Sequence, residues 1–221
     1  MSNKKHIRDA LLCFKIELKS TQYTFFVPLG VQWIVLPLLV GVIYRHYGWG
    51  DELYSWIIRL YQVFTPILSV WCPLVISGEY VEGDGHELLY VYRKSMITMY
   101  LGFFILSCFV LAVPFVPYTI MYSNMLWEYI RIVLEIFFYF GASYMLLYGL
   151  RSVPITFMGI IVYTLISTYF GNGGRNFLIY FDMLSMSEEL MKKVYLPFGL
   201  IGLTFWICGY VYNNHTEKVI Q

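Results

Sequence analysis

Six long apolar runs, separated by short polar stretches, dominate the chain. They lie near residues 24–44, 56–77, 96–121, 128–150, 152–170 and 195–213. A hydrocarbon core of ~30 Å is crossed by about 20 apolar residues in helical form. Helices are the default there because they satisfy their own backbone polar groups. The pattern therefore predicts an all-α integral membrane protein: six transmembrane helices in one domain spanning residues 1–221. Pro28, Pro37, Pro66 and Pro73 are expected to kink the first two spans, and Pro114 and Pro117 fall near the end of the third.

Three stretches outside the runs carry their own pattern. In residues 1–22, Ile7, Leu11, Phe14 and Leu18 recur at helical spacing, with Lys4, Arg8, Lys15 and Lys19 along the flank. That pattern predicts a helix lying in the membrane interface, its basic side chains reaching the headgroups. Residues 78–95 form a polar loop between spans two and three. Residues 171–194 open with the turn signal Asn172-Gly173-Gly174. They continue through a half-apolar run to Ser185, which with Glu188 resembles a capping box. Two short extracellular helices are expected there.

Composition agrees with this reading. Of 221 residues, 59% are hydrophobic and 13% charged, against roughly 25% charged in soluble domains. Mean hydropathy is +0.62. A net charge of +1 gives no argument for a nucleic-acid partner. The 21 tyrosines suit the interfacial zones of a bilayer. Cys13, Cys72, Cys108 and Cys208 have no ligand-like spacing and read as small buried hydrophobes rather than a disulfide framework or a metal site. The start of the chain does not read as a secretory signal. Lys4, Lys5, Arg8, Lys15, Lys19, Arg93, Lys94, Arg151 and Lys218 fall on the side of the N-terminus. Arg45, Arg175, Lys192 and Lys193 fall on the other. The basic excess predicts a multi-pass protein of the cell membrane with both termini cytoplasmic.

Charged side chains inside spans are expensive and are often functional. On span four Glu128, Arg131, Glu135 and Tyr139 share one face, and Arg59 on span two sits near the same outer end. Together they could line a pathway or form a gate held by ion pairs. The plainer reading is local: Arg131 neutralises both glutamates within its helix, near the headgroup zone where all three can reach water. On span five Thr156, Gly159, Tyr163 and Ser167 recur at helical spacing, a face suited to close helix packing or to lining a pathway. Gly102 and Gly141 read as packing positions.

The 78–95 loop packs Glu79, Glu82, Asp84 and Glu87 around Gly83 and Gly85, followed by Leu88-Leu89 and then Arg93-Lys94. Exposed leucines on such a loop suggest a docking surface for another protein. The acidic spacing does not match an EF-hand calcium loop. This order resembles the membrane subunits of ABC-2 type transporters. There an acidic residue ends the second span, and a glycine turn, a Glu-x-Leu-Leu-like stretch and a basic residue follow. The proline that usually follows the leucine pair is absent here, with Tyr90, Val91 and Tyr92 in that region, and the Glu-Leu-Leu register differs by about a residue. The wider layout is also similar to that family: an interfacial N-terminal helix, six spans, and a helical excursion between spans five and six.

The resemblance implies a permease that couples to a cytoplasmic ABC ATPase through Glu79, Glu82, Gly83, Asp84, Gly85, Glu87, Leu88, Leu89, Arg93 and Lys94. It implies a second permease copy, and export of an amphipathic or hydrophobic cargo, a peptide such as a toxin or bacteriocin being the first guess. No GxxxxGK[ST] run occurs, so ATP and Mg would bind the partner subunit. This chain would be no enzyme and would hold no cofactor. Two other classes compete. An ATP-independent channel or ion-coupled carrier would need polar residues at mid-membrane. A rhomboid-like intramembrane protease would use Ser143, in Gly141-Ala142-Ser143, with a histidine base; Tyr144 stands where its motif has a second glycine.

Overall fold

A computed structural model describes residues 22–82, 96–170 and 187–220, with side chains described over 26–82, 96–170 and 187–214. Six helices there are long and apolar enough to cross a membrane. The first span comprises Gln22–Gly30, a π-turn Val31–Val35 and Leu36–Tyr47; the second is Asp51–Val81, the third Ile97–Met121, the fourth Met125–Leu150 and the fifth Val153–Phe170. The sixth starts at Glu188–Leu190, passes a π-turn Met191–Tyr195 and continues as Leu196–Ile220. The predicted interfacial helix of residues 1–22 lies, apart from Gln22, outside the described residues. So do residues 83–95 and 171–186.

Tight turns reverse the chain between spans. Gly48 adopts φ 69°, a left-handed conformation that suits glycine. Arg151 holds φ 51° while its N–H reaches the Leu147 carbonyl at 2.8 Å, ending span four sharply. Two ends of the bundle follow. At the far end, Tyr122 of the 122–124 turn donates its hydroxyl to the Gly50 carbonyl (3.2 Å). At the near end, the Val153 N–H donates to Glu82 Oε1 (2.7 Å), tying the end of span two to the start of span five.

Spans two, four and six all run from the far end to the near end. Spans two and four form the centre, each more buried than the others. Span four meets span six along a glycine seam. A Cβ on Gly141 would come within 2.5 Å of the Gly202 carbonyl oxygen, and one on Gly202 within 2.9 Å of the Phe138 Cα. Gly209 is closed off in the same way by the Tyr144 ring. Small residues that let backbones approach are the usual means of packing helices in lipid, and Gly141 fills the packing role expected of it. Aromatic rings fill the rest of the seam, with Phe138 stacked on Phe198 at 4.0 Å and Trp206 donating to the Phe137 carbonyl at 3.1 Å. Spans one, three and five turn apolar rows outward. Phe109, Val113, Val116 and Ile120 form one on span three, and Ile155, Met158, Val162 and Tyr169 another on span five. Such faces suit hydrocarbon.

Four expectations are corrected. Ser187, not Ser185, caps the last helix: its hydroxyl accepts the Leu190 N–H at 3.2 Å. The second short helix expected between spans five and six is instead the opening of span six, because Glu188 and Glu189 pair one turn on with Lys192 and Lys193 and carry the helix forward. Gly159 does not belong to the packed face of span five: it is exposed. The buried residues are Thr156, Ile160, Thr164 and Ser167. Among the cysteines, Cys72 is buried, Cys108 half-buried and Cys208 exposed, so the reading as buried hydrophobes fails for Cys208.

Candidate functional site

Span four places Glu128, Arg131 and Glu135 at i, i+3 and i+7, which puts all three on one face. That face turns inward. All three side chains are 0% exposed, and their expected access to water at the headgroup zone is not what the bundle provides. At about 1.5 Å per residue, Glu135 lies roughly 15 Å along the helix from its far end, a depth comparable to half the hydrocarbon core. Spans two and six close over the trio.

The contacts join three helices. Arg131 Nη1 donates to Glu128 Oε2 at 2.9 Å. Its Nε donates to the Tyr195 hydroxyl at 2.6 Å and stands 3.9 Å from Glu135 Oε1. The guanidinium carbon lies 4.7 Å from the Tyr195 ring centroid, so one side chain of span six both accepts from and stacks on the cation. From span two, Tyr54 donates to Glu128 Oε1 at 2.8 Å and Gln62 Nε2 donates to Glu135 Oε1 at 2.9 Å. Local pairing by Arg131 is therefore present as expected, but it is embedded in a network drawn from spans two and six. Glu135 Oε2 is buried and has no hydrogen-bond partner among the described residues.

One turn further along span four, the Tyr139 hydroxyl and Thr164 Oγ1 of span five share a hydrogen bond at 2.6 Å. Tyr163 packs on Phe138 and Tyr139. Thr156 is buried, its hydroxyl donating to the carbonyl of Ser152 just before its helix, and Ser167 is buried farther along the same face. Arg59 stands apart: its guanidinium lies 5.1 Å from the Trp56 ring, beside an open groove with Tyr47, Asp51, Glu52 and Ser55. Ser143 is buried and donates to the Phe140 carbonyl of its own helix at 2.9 Å. Of the loop residues, Glu79 is exposed and Glu82 is exposed but engaged with Val153. Gly83, Asp84, Gly85, Glu87, Leu88, Leu89, Arg93 and Lys94 lie outside the described residues.

Sequence reasoning missed Tyr54, Gln62, Thr164 and Tyr195. A signal existed for Gln62, the one amide in the second apolar run, and for Tyr54, two helical turns before it on the same face. Tyr195 carried none, being one tyrosine among 21. Comparison with protein-family models, with curated proteins and with solved structures returned no match to this chain.

Proposed function

We propose that the chain is the permease subunit of an ATP-driven exporter of the ABC-2 type, working as a pair of copies with two cytoplasmic ATPase subunits. It would move an amphipathic or hydrophobic cargo, with a peptide as first guess. The observation that carries the reading is the reach of span two. One helix of 31 residues runs from Tyr54 and Gln62, both bonded to the buried carboxylates, to Val81. Glu82, at the mouth of the proposed coupling segment, holds the first N–H of span five. A push on residues 79–94 would therefore be delivered to two spans at once, and along span two to the charge cluster. The cluster would act as a latch with two states, closed as seen here and open when span two shifts; ATP-driven closure of the partner would bias that equilibrium.

The test is co-purification with a co-expressed ABC ATPase subunit, and stimulation of its hydrolysis. Replacing Leu88 and Leu89 together by lysine, or Glu87 by lysine, should reduce both at least several-fold while membrane insertion survives. Normal assembly and activity in those variants would refute the coupling assignment. A second reading, an ion-coupled carrier working without ATP, is favoured by the depth of Glu135 and Gln62. It requires transport by the purified chain alone in liposomes.

A further inference from the structure

Among the described residues, the charge count of the buried cluster does not close. Two carboxylates face one guanidinium among the described residues, and all three side chains are 0% exposed. The guanidinium is shared unequally. It sits 2.9 Å from Glu128 but 3.9 Å from Glu135, and its Nε hydrogen is given to Tyr195. Glu128 therefore holds the close, hydrogen-bonded ion pair, and Glu135 only a longer one without a hydrogen bond to the cation. Gln62 supplies one hydrogen bond to Glu135 Oε1, which leaves Oε2 buried without a donor. A buried carboxylate with one oxygen unsatisfied and its cation at arm's length is costly to keep charged, and such a group takes up a compensating charge.

The surroundings decide what that charge is. Span two presents Tyr54 and Gln62, span four presents Arg131, Glu128 and Tyr139, span five presents Tyr163 and Thr164, and span six presents Tyr195. Tyr118 of span three is engaged with Tyr61. Arg131 is the only cationic side chain in this set. An alkali cation would need a shell of several oxygens and room for itself. Oε2 is instead enclosed at zero exposure, and a proton is the one cation that needs no volume.

We propose that Glu135 is a proton-binding site: one exchangeable proton, taken from the aqueous phase, rides on Oε2 in the closed bundle. The step makes one O–H bond and breaks none in the protein. Return of the proton to water requires the cluster to open, because the Glu135 side chain is held at zero exposure among the described residues. Protonation therefore favours the closed latch and loss of the proton favours the open one. The inference deepens the latch reading of this cluster and rests on it only for the consequence in transport.

Infrared spectra of the purified chain in lipid nanodiscs test it without ATPase or cargo. At neutral pH the wild type should show the C=O stretch of one neutral carboxylic acid, shifted in D2O. Glu135→Gln should abolish that band, Glu128→Gln should leave it, and Glu135→Asp should move it. The aspartate variant keeps the test decisive if the glutamine variant fails to insert. Absence of a neutral-acid band in the wild type, or its survival in Glu135→Gln, overturns the proton site and leaves the transporter reading standing. A band that behaves as expected in a chain that neither binds an ATPase nor transports would sink the transporter reading alone.

Discussion

At the residue scale, the cluster depends on Arg131. Its removal would leave Glu128 and Glu135 facing each other across a buried space, and breaking a buried pair by deleting one partner costs about 3–5 kcal/mol. We expect Arg131→Met to lose stability on that scale in thermal unfolding of the detergent-solubilised protein. Tyr195→Phe removes the acceptor for the Arg131 Nε and keeps the ring beneath the guanidinium, so a loss of about 1–3 kcal/mol is expected. Combining Arg131→Met with Glu128→Gln should recover part of the loss, since one orphaned charge goes with its partner. A loss in Arg131→Met no larger than that of a lipid-facing substitution such as Val162→Ala would show that the trio is not buried as a unit. The pairing inside span four was legible from the spacing of 128, 131 and 135. Its burial was not, because periodicity places residues on one face without saying which neighbour covers that face.

At the element scale, spans one and six repeat one device. In each, a π-turn of five residues is followed by Leu-Pro: Val31–Val35 before Leu36-Pro37, and Met191–Tyr195 before Leu196-Pro197. Proline lacks the N–H for the helical ladder and its ring crowds the carbonyl four residues back. The widened turn relieves that crowding, with the Leu36 N–H reaching Val31 O and the Leu196 N–H reaching Met191 O. The functional consequence differs at each place. In span one the bulge holds Gln32 inward, beside a small cavity lined also by Ser69, Cys72 and Ser107, while Trp33 donates to the Val110 carbonyl of span three. In span six it sets Tyr195 under Arg131. The sequence reading expected a kink at Pro37 but neither π-turn, which is a rearrangement of backbone bonds that hydropathy does not encode. Pro37→Ala removes the crowding, so the preceding turn should rewind by about one residue, or about 100°. A Gln32→Cys thiol, placed to cross-link with Cys72 in a background lacking the other cysteines, should then react several-fold less than with Pro37 retained. The glycine seam gives a second expectation at this scale. Gly141→Val should destabilise by about 1–3 kcal/mol through forced separation of spans four and six. Gly149→Ala, which meets open space, should be neutral or gain up to about 1 kcal/mol of helix propensity.

At the scale of the whole molecule, six spans were readable because apolar length is a strong signal, and their ends shifted by only a few residues, span six excepted. What hydropathy could not supply is the layering, with spans two and four inside and outward apolar rows on spans one, three, five and six. All of these runs are apolar, and only cross-helix contacts separate them. That layering gives the orientation of the bundle its mechanical meaning. The far end carries the charge cluster and the near end carries the Glu82–Val153 tie. An ATPase can act only if the near end faces the cytoplasm, and the basic excess on the near side argues the same way. Single cysteines at Trp49 in the far-end turn and at Ser152 in the near-end turn, in a chain otherwise lacking cysteine, separate the possibilities. A membrane-impermeant thiol reagent applied to intact cells should label the Trp49→Cys chain and spare Ser152→Cys until the membrane is opened. The reverse pattern would put residues 79–94 outside the cell, where no ATPase could grip them, and the buried cluster would then belong to a protein driven by something other than ATP.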